Sequence, residues 1–280
     1  MTFDSLPLLR YWSLPPVAMV AIDVSAILYW RGWRRLNRAG VAFVPAWRAA
    51  AFLSGLFTVW IALASPIDAL NGLVLTAHMA QHLLLMMVAP PLMLLGAPLI
   101  PMARGLPGAS TRRMAGRFLN WPAAQRIGRA VTHPLTGALS MSVVLFGWHA
   151  PAMYELALRS ERWHDTEHAT FFLASLLFWW PVVLPWPSRA QWPRWAMVPY
   201  LLLADLQNTA LSAILAFSDR VLYPSYSDAP RFFSLSPLED QIAAGAFMWV
   251  AGSLAFVLPA IVLAVRCLST SADRRALSAA

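Results

Sequence analysis

The amino-acid sequence predicts an all-α, polytopic membrane protein. Residues 1–280 read as one domain, a bundle of about seven transmembrane helices. Three observations carry this. The chain is 59% hydrophobic and only 12% charged, with a mean hydropathy of +0.57, a balance foreign to soluble domains. Its apolar residues come in blocks of about 17 to 25, the length of helix that crosses a bilayer core. Its basic residues, 21 in number and all Arg, gather in alternate connections. Strands are excluded because the blocks are too long for barrel segments.

The predicted spans are residues 16–30, 45–64, 73–95, 134–150, 165–184, 195–217 and 238–265. The first opens after Pro15-Pro16 and the second at Pro45, where proline suits a helix start. Pro90-Pro91, Pro98 and Pro101, with Gly96, predict an end or kink in the inner half of the third. Trp30, Trp33, Trp47, Trp121, Trp148, Trp163, Trp192 and Trp195 stand near span ends as interface anchors. Arg31, Arg34, Arg35, Arg38 and Arg48 follow span one; a second group runs from Arg104 to Arg129. Arg189 and Arg194 precede span six, and Arg266, Arg274 and Arg275 close the chain. This places 16 of 21 Arg on one side, against Arg10, Arg159, Arg162, Arg220 and Arg231 on the other. The positive-inside rule then gives an outer N-terminus and an inner C-terminus. Asp4, Asp68, Glu155, Glu161, Asp219, Asp228 and Glu239 fall outside, an acidic mouth suited to a cation.

A formal charge of +8 could suggest nucleic acid, but no binding motif accompanies it, and the Arg residues are explained by topology. The lone Cys267 excludes an internal disulfide. The first apolar block lacks a basic preceding region and a small-residue cleavage site, so it reads as a retained helix.

Histidine carries the chemistry. His78 and His82 are four apart on span three, as are His164 and His168 on span five. Spacing of four puts each pair on one helical face. With the topology above, both pairs and His149, at the end of span four, fall in one outer layer. Ionisable side chains at membrane depth are costly and mark functional sites. His133, before Pro134, lies at the opposite end and reads as a loop residue. Neither His pair carries the glutamate of the zinc-peptidase helix in its place. Glu167 precedes the second histidine of its pair instead. No catalytic set emerges, so the chain reads as a non-enzyme.

Neutral imidazole suits copper, zinc, iron or nickel, and thioether ligands shift the preference to Cu(I). Met79, Met86 and Met153 lie near the His layer as auxiliary candidates. Zinc more often recruits thiolate or carboxylate, so copper leads; a bis-His haem between His82 and His168 is the rival reading. Asp68, Asp240 and Glu167 are candidates for holding an imidazole N–H from behind; Asp240 and Asp68 read equally well as helix caps. Asp23 and Asp205, in mid-span, read either as hydrogen-bonded clamps or as a cation path.

Particular stretches resemble a known family. These are the run from His78-Met79-Ala80-Gln81-His82 to Met86-Met87 and Pro90-Pro91, then Gly96-Ala97-Pro98; Trp148-His149-Ala150-Pro151 with Tyr154; Trp163-His164 with Glu167-His168; and Phe178-Trp179-Trp180-Pro181. Ser218-Asp219, Leu222-Tyr223-Pro224, Asp240-Gln241, Gly245 and Met248-Trp249 add to them. Together, over about residues 73–259, they resemble the caa3-type cytochrome c oxidase assembly factors, CtaG-type integral membrane proteins. The resemblance implies about seven spans, a bacterial cytoplasmic (inner) membrane location, and a part in maturing a haem-copper oxidase by handling copper. The implied partners are an oxidase subunit or its copper donor and the lipid bilayer, with no nucleic acid. A copper transporter and a haem-binding redox protein are the competing functions.

Overall fold

The computed structural model describes residues 12, 13, 15–40, 45–230 and 234–279, with side chains up to residue 269. Asp4, Arg10 and Arg231 lie outside the described residues, as do the side chains of Arg274 and Arg275. The described chain is helical, with no strand. Its helices are α1 (Pro16–Arg38), α2 (Ala46–Ala64), α3 (Pro66–Leu70), α4 (Leu75–Leu83), α5 (Ala89–Leu95), α6 (Leu99–Gly105), α7 (Ala109–Asn120), α8 (Pro122–Val131), α9 (Pro134–His149), α10 (Pro151–Arg159), α11 (Glu161–Val183), α12 (Met197–Ala216), α13 (Ser225–Asp228) and α14 (Pro237–Ala279).

A helix stands at each of the seven predicted positions. Four stretches are long and apolar enough to cross a bilayer: Ala46–Leu70, Leu75–Leu95, Arg194–Ala216 and Pro237–Ser269. The pair α8 and α9, bent by 49°, makes up to five. The helices at the first and fifth positions, α1 and α11, are each 23 residues long. They are not apolar enough to qualify, because α1 ends in Arg-rich turns and α11 opens on Glu161, Arg162, Asp165 and Glu167.

Local chemistry sets the ends. Ser236 and Glu239 form a reciprocal capping box at the start of α14: the Ser236 N–H donates to Glu239 Oε2 (2.6 Å), and the Glu239 N–H donates to Ser236 Oγ (3.2 Å). His133 caps α9 by accepting from the Leu135 N–H. Where α1 crosses α6, Gly32 and Gly105 face the partner backbone, and a Cβ on either would collide with a carbonyl, that of Pro101 or Leu28. Small residues at such crossings let helices approach closely in lipid.

The third span, Leu75–Leu95, ends at Gly96 as the sequence predicts, and the irregularity expected around Pro90-Pro91 takes a particular form. Its hydrogen-bond ladder widens one turn earlier into a π-helical segment, Leu84–Val88, and then continues as α5 to Gly96. The reason is local. Pro90 has no N–H for the carbonyl of Met86, four residues back. That buried carbonyl accepts from Trp179 Nε1 on α11 instead, at 3.0 Å. A neighbouring helix thus supplies the missing donor, which is how prolines are tolerated inside membrane helices.

Two buried clusters result. The larger joins α4, the π turn, α9, α11, α12 and α14; the smaller packs Tyr29, Ala49, Phe52 and Leu56 between α1 and α2. Tyr29 donates to the Gly96 carbonyl at 2.8 Å and ties the smaller cluster to the end of α5. Of the two mid-span acids, Asp205 accepts from Ser253 Oγ at 2.7 Å, clamping α12 to α14. Asp23 is exposed on α1.

Replacing Trp179 with Phe should strand the Met86 carbonyl and cost about 1–3 kcal/mol of stability. Thermal unfolding in detergent should show a lowered Tm, whereas Trp195→Phe, at an indole that is 64% exposed, should leave it unchanged. An equal Tm for both variants would show that the indole is not what supports the π turn.

Candidate metal centre

Four of the five singled-out histidines converge. His78 and His82 rise from α4 and His164 and His168 from α11. Ring centroids are 4.4 Å apart for His78–His82, 5.4 Å for His82–His168, 5.4 Å for His78–His164 and 4.1 Å for His164–His168. One potential ligand atom from each of His78, His82 and His168 lies within 4.8 Å of the others; so do those of His78, His164 and Glu167. The two trios share His78. The first is buried throughout, while His164 in the second is partly exposed.

The donors are arranged as a metal site requires. His78 Nε2 and His82 Nε2 are 2.9 Å apart. With metal–nitrogen bonds of about 2.0–2.1 Å, that separation subtends roughly 90° at a shared ion. Glu167 is fully buried, its oxygens 3.7 Å from both Nε2 atoms. Neither oxygen has a hydrogen-bond donor, and His82 Nδ1 and His168 Nε2 are likewise without partners. Buried polar atoms are normally satisfied. Bare carboxylate oxygens beside two imidazole nitrogens are what a cation would satisfy.

The surroundings orient the ring of His78. Tyr226 Oη donates to the Asn71 carbonyl (2.7 Å) and lies 3.2 Å from His78 Nδ1. Its single proton is committed to that carbonyl, so the contact requires a proton on Nδ1 and leaves Nε2 as the lone pair facing His82. Burial pushes the Tyr226 phenol well above its ordinary value, so it stays protonated. Tyr154, raised likewise by burial, sits 3.2 Å from Tyr226 and supports it from behind. Asn71 Nδ2 lies 3.3 Å from both His164 Nε2 and Asp68 Oδ1. Buried Gln81 donates to Asp68 Oδ1 (2.8 Å) and to the Ala62 carbonyl (2.9 Å).

Sequence expectations fare unevenly. His149 is not part of either trio: its ring is 6.5 Å from that of His82, and its Nδ1 is spent on the Leu145 carbonyl at 2.8 Å. It closes the last turn of α9, which turns the ring away from the carboxylate. Asp240 touches no imidazole. It accepts from the Leu75 N–H (2.6 Å), the Thr76 N–H (3.2 Å) and Thr76 Oγ1 (2.7 Å), so it caps α4 from across the bundle. Met79 and Met86 are buried beside His82, but Met153 is exposed on α10. Asp68 reaches His164 only through Asn71. Gln81, Asn71 and Tyr226 are site residues that the sequence does not single out. Gln81 has a readable signal, a polar side chain inside an apolar span; the other two sit in connections between the long helices, where polar residues are ordinary.

Comparison with known proteins identifies a family. The family model described as cytochrome c oxidase caa3 assembly factor (Caa3_CtaG) matches residues 27–270. The chain belongs to that family. It is 24% identical over 264 residues to an uncharacterized protein, Mb0105, of Mycobacterium bovis, covering 91% of this chain and 39% of the relative. It is 23% identical over 256 residues to ML1998 of Mycobacterium leprae, also uncharacterized, covering 90% and 38%. The chain therefore spans about two fifths of the length of these relatives. No solved structure matches significantly.

Tyr226→Phe should keep the fold but free the His78 ring to change tautomer. If the centre holds an ion, its affinity, read by competition with a chelator, should fall by about 10–100-fold, as when other groups that orient metal-bound histidines are lost. Tyr200→Phe removes a comparable buried hydrogen bond, to the Phe178 carbonyl, and should leave the affinity unchanged.

Proposed function

We propose that this caa3-type oxidase assembly factor binds Cu(I) at the His78/His82/His168 cluster and delivers it to a haem-copper cytochrome c oxidase. The observation that supports this most is the pair of overlapping trios around a buried carboxylate with no protein donor. Copper is the cargo here, not a resident cofactor. No bond of a substrate is made or broken; transfer is an exchange of ligands, so the role is non-catalytic.

The two trios suggest an order of events. His164 is partly exposed and could meet an ion arriving from the aqueous side together with Glu167 and His78. His78 then belongs equally to the deeper trio with His82 and His168. The carboxylate contributes the negative charge that a cation needs in an apolar bundle, and also attracts it. Reversal of the same steps would release the ion to an oxidase subunit; a copper donor would load it. In this reading the chain crosses a bacterial cytoplasmic membrane about seven times, N-terminus outside, because the Arg distribution orients it so.

The rivals draw less support. A bis-His haem needs a flat slot beside the ligating nitrogen, whereas His82 Nε2 has His78 Nε2 at 2.9 Å and Glu167 Oε1 at 3.7 Å. A transporter would use Asp23 and Asp205 as stepping points, but the first is exposed on α1 and the second is held by Ser253. Glu167 is a ligand type that zinc also accepts, so metal identity is what the experiment must read.

The purified, reduced protein should take up Cu(I) without colour. The double variant His82→Ala/His168→Ala should lose the ion from the imidazole cluster. Oxidase matured in cells carrying that variant should contain haem but lack catalytic copper. Full copper loading of the oxidase with all five histidines replaced would leave the protein a scaffold only. A Soret band in the purified wild type would instead favour haem.

A further inference from the structure

Beside the imidazole cluster, and sharing His82 with it, lies a small space rich in methionine. Met79, Met86, Met87, Met141 and Met248 line it from three parts of the chain. They belong to α4 and the π turn that follows it, to α9 and to α14. All five are buried. The opening is about 20 Å³, measured as the volume free to the centre of a water-sized sphere, which is room for one small occupant. His82 and His149 line the same space.

Three observations set this chamber apart from ordinary apolar packing. His149 carries an unpartnered, buried Nε2. Its Nδ1 lies 2.8 Å from the Leu145 carbonyl, a contact that requires the proton there and makes Nε2 a lone pair. A histidine held from behind by a carbonyl, its other nitrogen bare, is the arrangement that ligating histidines show. Second, His82 belongs to both places: its Nε2 meets His78, and its Nδ1, on the other side of the ring, has no partner. Third, the π turn Leu84–Val88 delivers two of the five methionines, and such turns recur at functional sites. The polar groups in the wall are already committed: Gln207 Oε1 to Ser142, and Asn208 Nδ2 to the Met248 carbonyl. Met141 Sδ already accepts from Ser175 Oγ at 3.7 Å, which leaves the two bare imidazole nitrogens and the other four thioethers, a set that selects Cu(I) over Zn(II) and Cu(II).

We propose that this methionine chamber is a second Cu(I) site, ligated by His149 Nε2 and thioethers, with His82 as the residue linking it to the imidazole cluster. Only the identity of the cargo rests on the function proposed above; the chamber's ligands are different residues. His149, which the sequence groups with the other four, takes its place here.

Cu(I) titration of the intact, reduced protein, with X-ray absorption at the copper edge, tests the proposal. Wild type should bind two equivalents, one with copper–sulfur scattering. The variant His149→Ala/Met141→Leu/Met248→Leu should lose one equivalent together with the sulfur signal and keep the nitrogen/oxygen-ligated ion. Met→Leu swaps conserve volume and are well tolerated, and the wild-type spectrum by itself decides the question if the variant does not fold. Absence of copper–sulfur scattering in wild type, or its persistence in the variant, overturns the chamber. His78→Ala/His168→Ala separates the two readings. It should lose only the nitrogen/oxygen-ligated ion. Sulfur-ligated copper in a wild type without any nitrogen/oxygen-ligated ion would sink the imidazole site and leave the chamber standing.

Discussion

A carboxylate without a hydrogen-bond donor, enclosed by helices, is the constraint around which this molecule is built. Desolvating an ionised Glu is expensive, and the cost is recovered only through a matched partner. Glu167 is fully buried, its oxygens 3.7 Å from two imidazole nitrogens. It has therefore two ways to be tolerated: a proton, or a cation held jointly with those imidazoles. Everything that fixes α4 against α11 fixes this choice as well. Asp240 holds the first turn of α4 from α14, and Gln81 ties the same helix to Asp68 and to the end of α2. Three separate segments thus determine where His78 and His82 meet Glu167.

The same helix shows how a membrane protein bends its rules locally. Two consecutive prolines remove two donors from the third span, and in lipid no water replaces them. The chain meets this by widening the preceding turn and by borrowing the Trp179 indole from α11. The indole and the candidate ligands His164, Glu167 and His168 are on the same helix. A wider turn also swings Met86 and Met87 off the register that an uninterrupted α-helix would give them, toward the space below His82. The proline pair, which reads as an end or a kink, acts here as a device for aiming side chains.

Much of this is legible in the sequence because it depends on local periodicity. The span predicted at 134–150 is α9, Pro134–His149, and the span predicted at 45–64 is α2, Ala46–Ala64. Spacing of four puts each His pair on one face, and the pairs do meet. What stays hidden depends on contacts across long stretches of chain. The π turn requires an indole 93 residues away. The tautomer of His78 depends on a phenol 148 residues distant, on a four-residue helix in a connection between the long helices. Depth, which periodicity gives, assigns His149 to the imidazole layer, but its ring direction depends on the Leu145 carbonyl, which periodicity does not give. Helices α1 and α11 fall short of the apolarity that a bilayer crossing asks for, because charged residues stand in the last turns of the first and the opening turns of the second.

Depth then acquires a chemical gradient. At one end stand a partly exposed imidazole and a carboxylate, ligand types that accept many cations. Next come three buried imidazoles, and beneath them one imidazole among thioethers. Each step inward is softer and drier than the last, so hard or strongly hydrated ions are increasingly disfavoured. An ion moving along such a series would be selected by ligand chemistry rather than by pore size. The shared residues make exchange between adjacent positions a matter of replacing one ligand at a time: His78 serves both trios, and His82 serves the deeper trio and the wall of the chamber. Under the function proposed above, that arrangement would suit a carrier that must hold copper without sealing it in. A closed four-ligand cage would bind more tightly, but it would offer a partner no free coordination position through which to take the ion away.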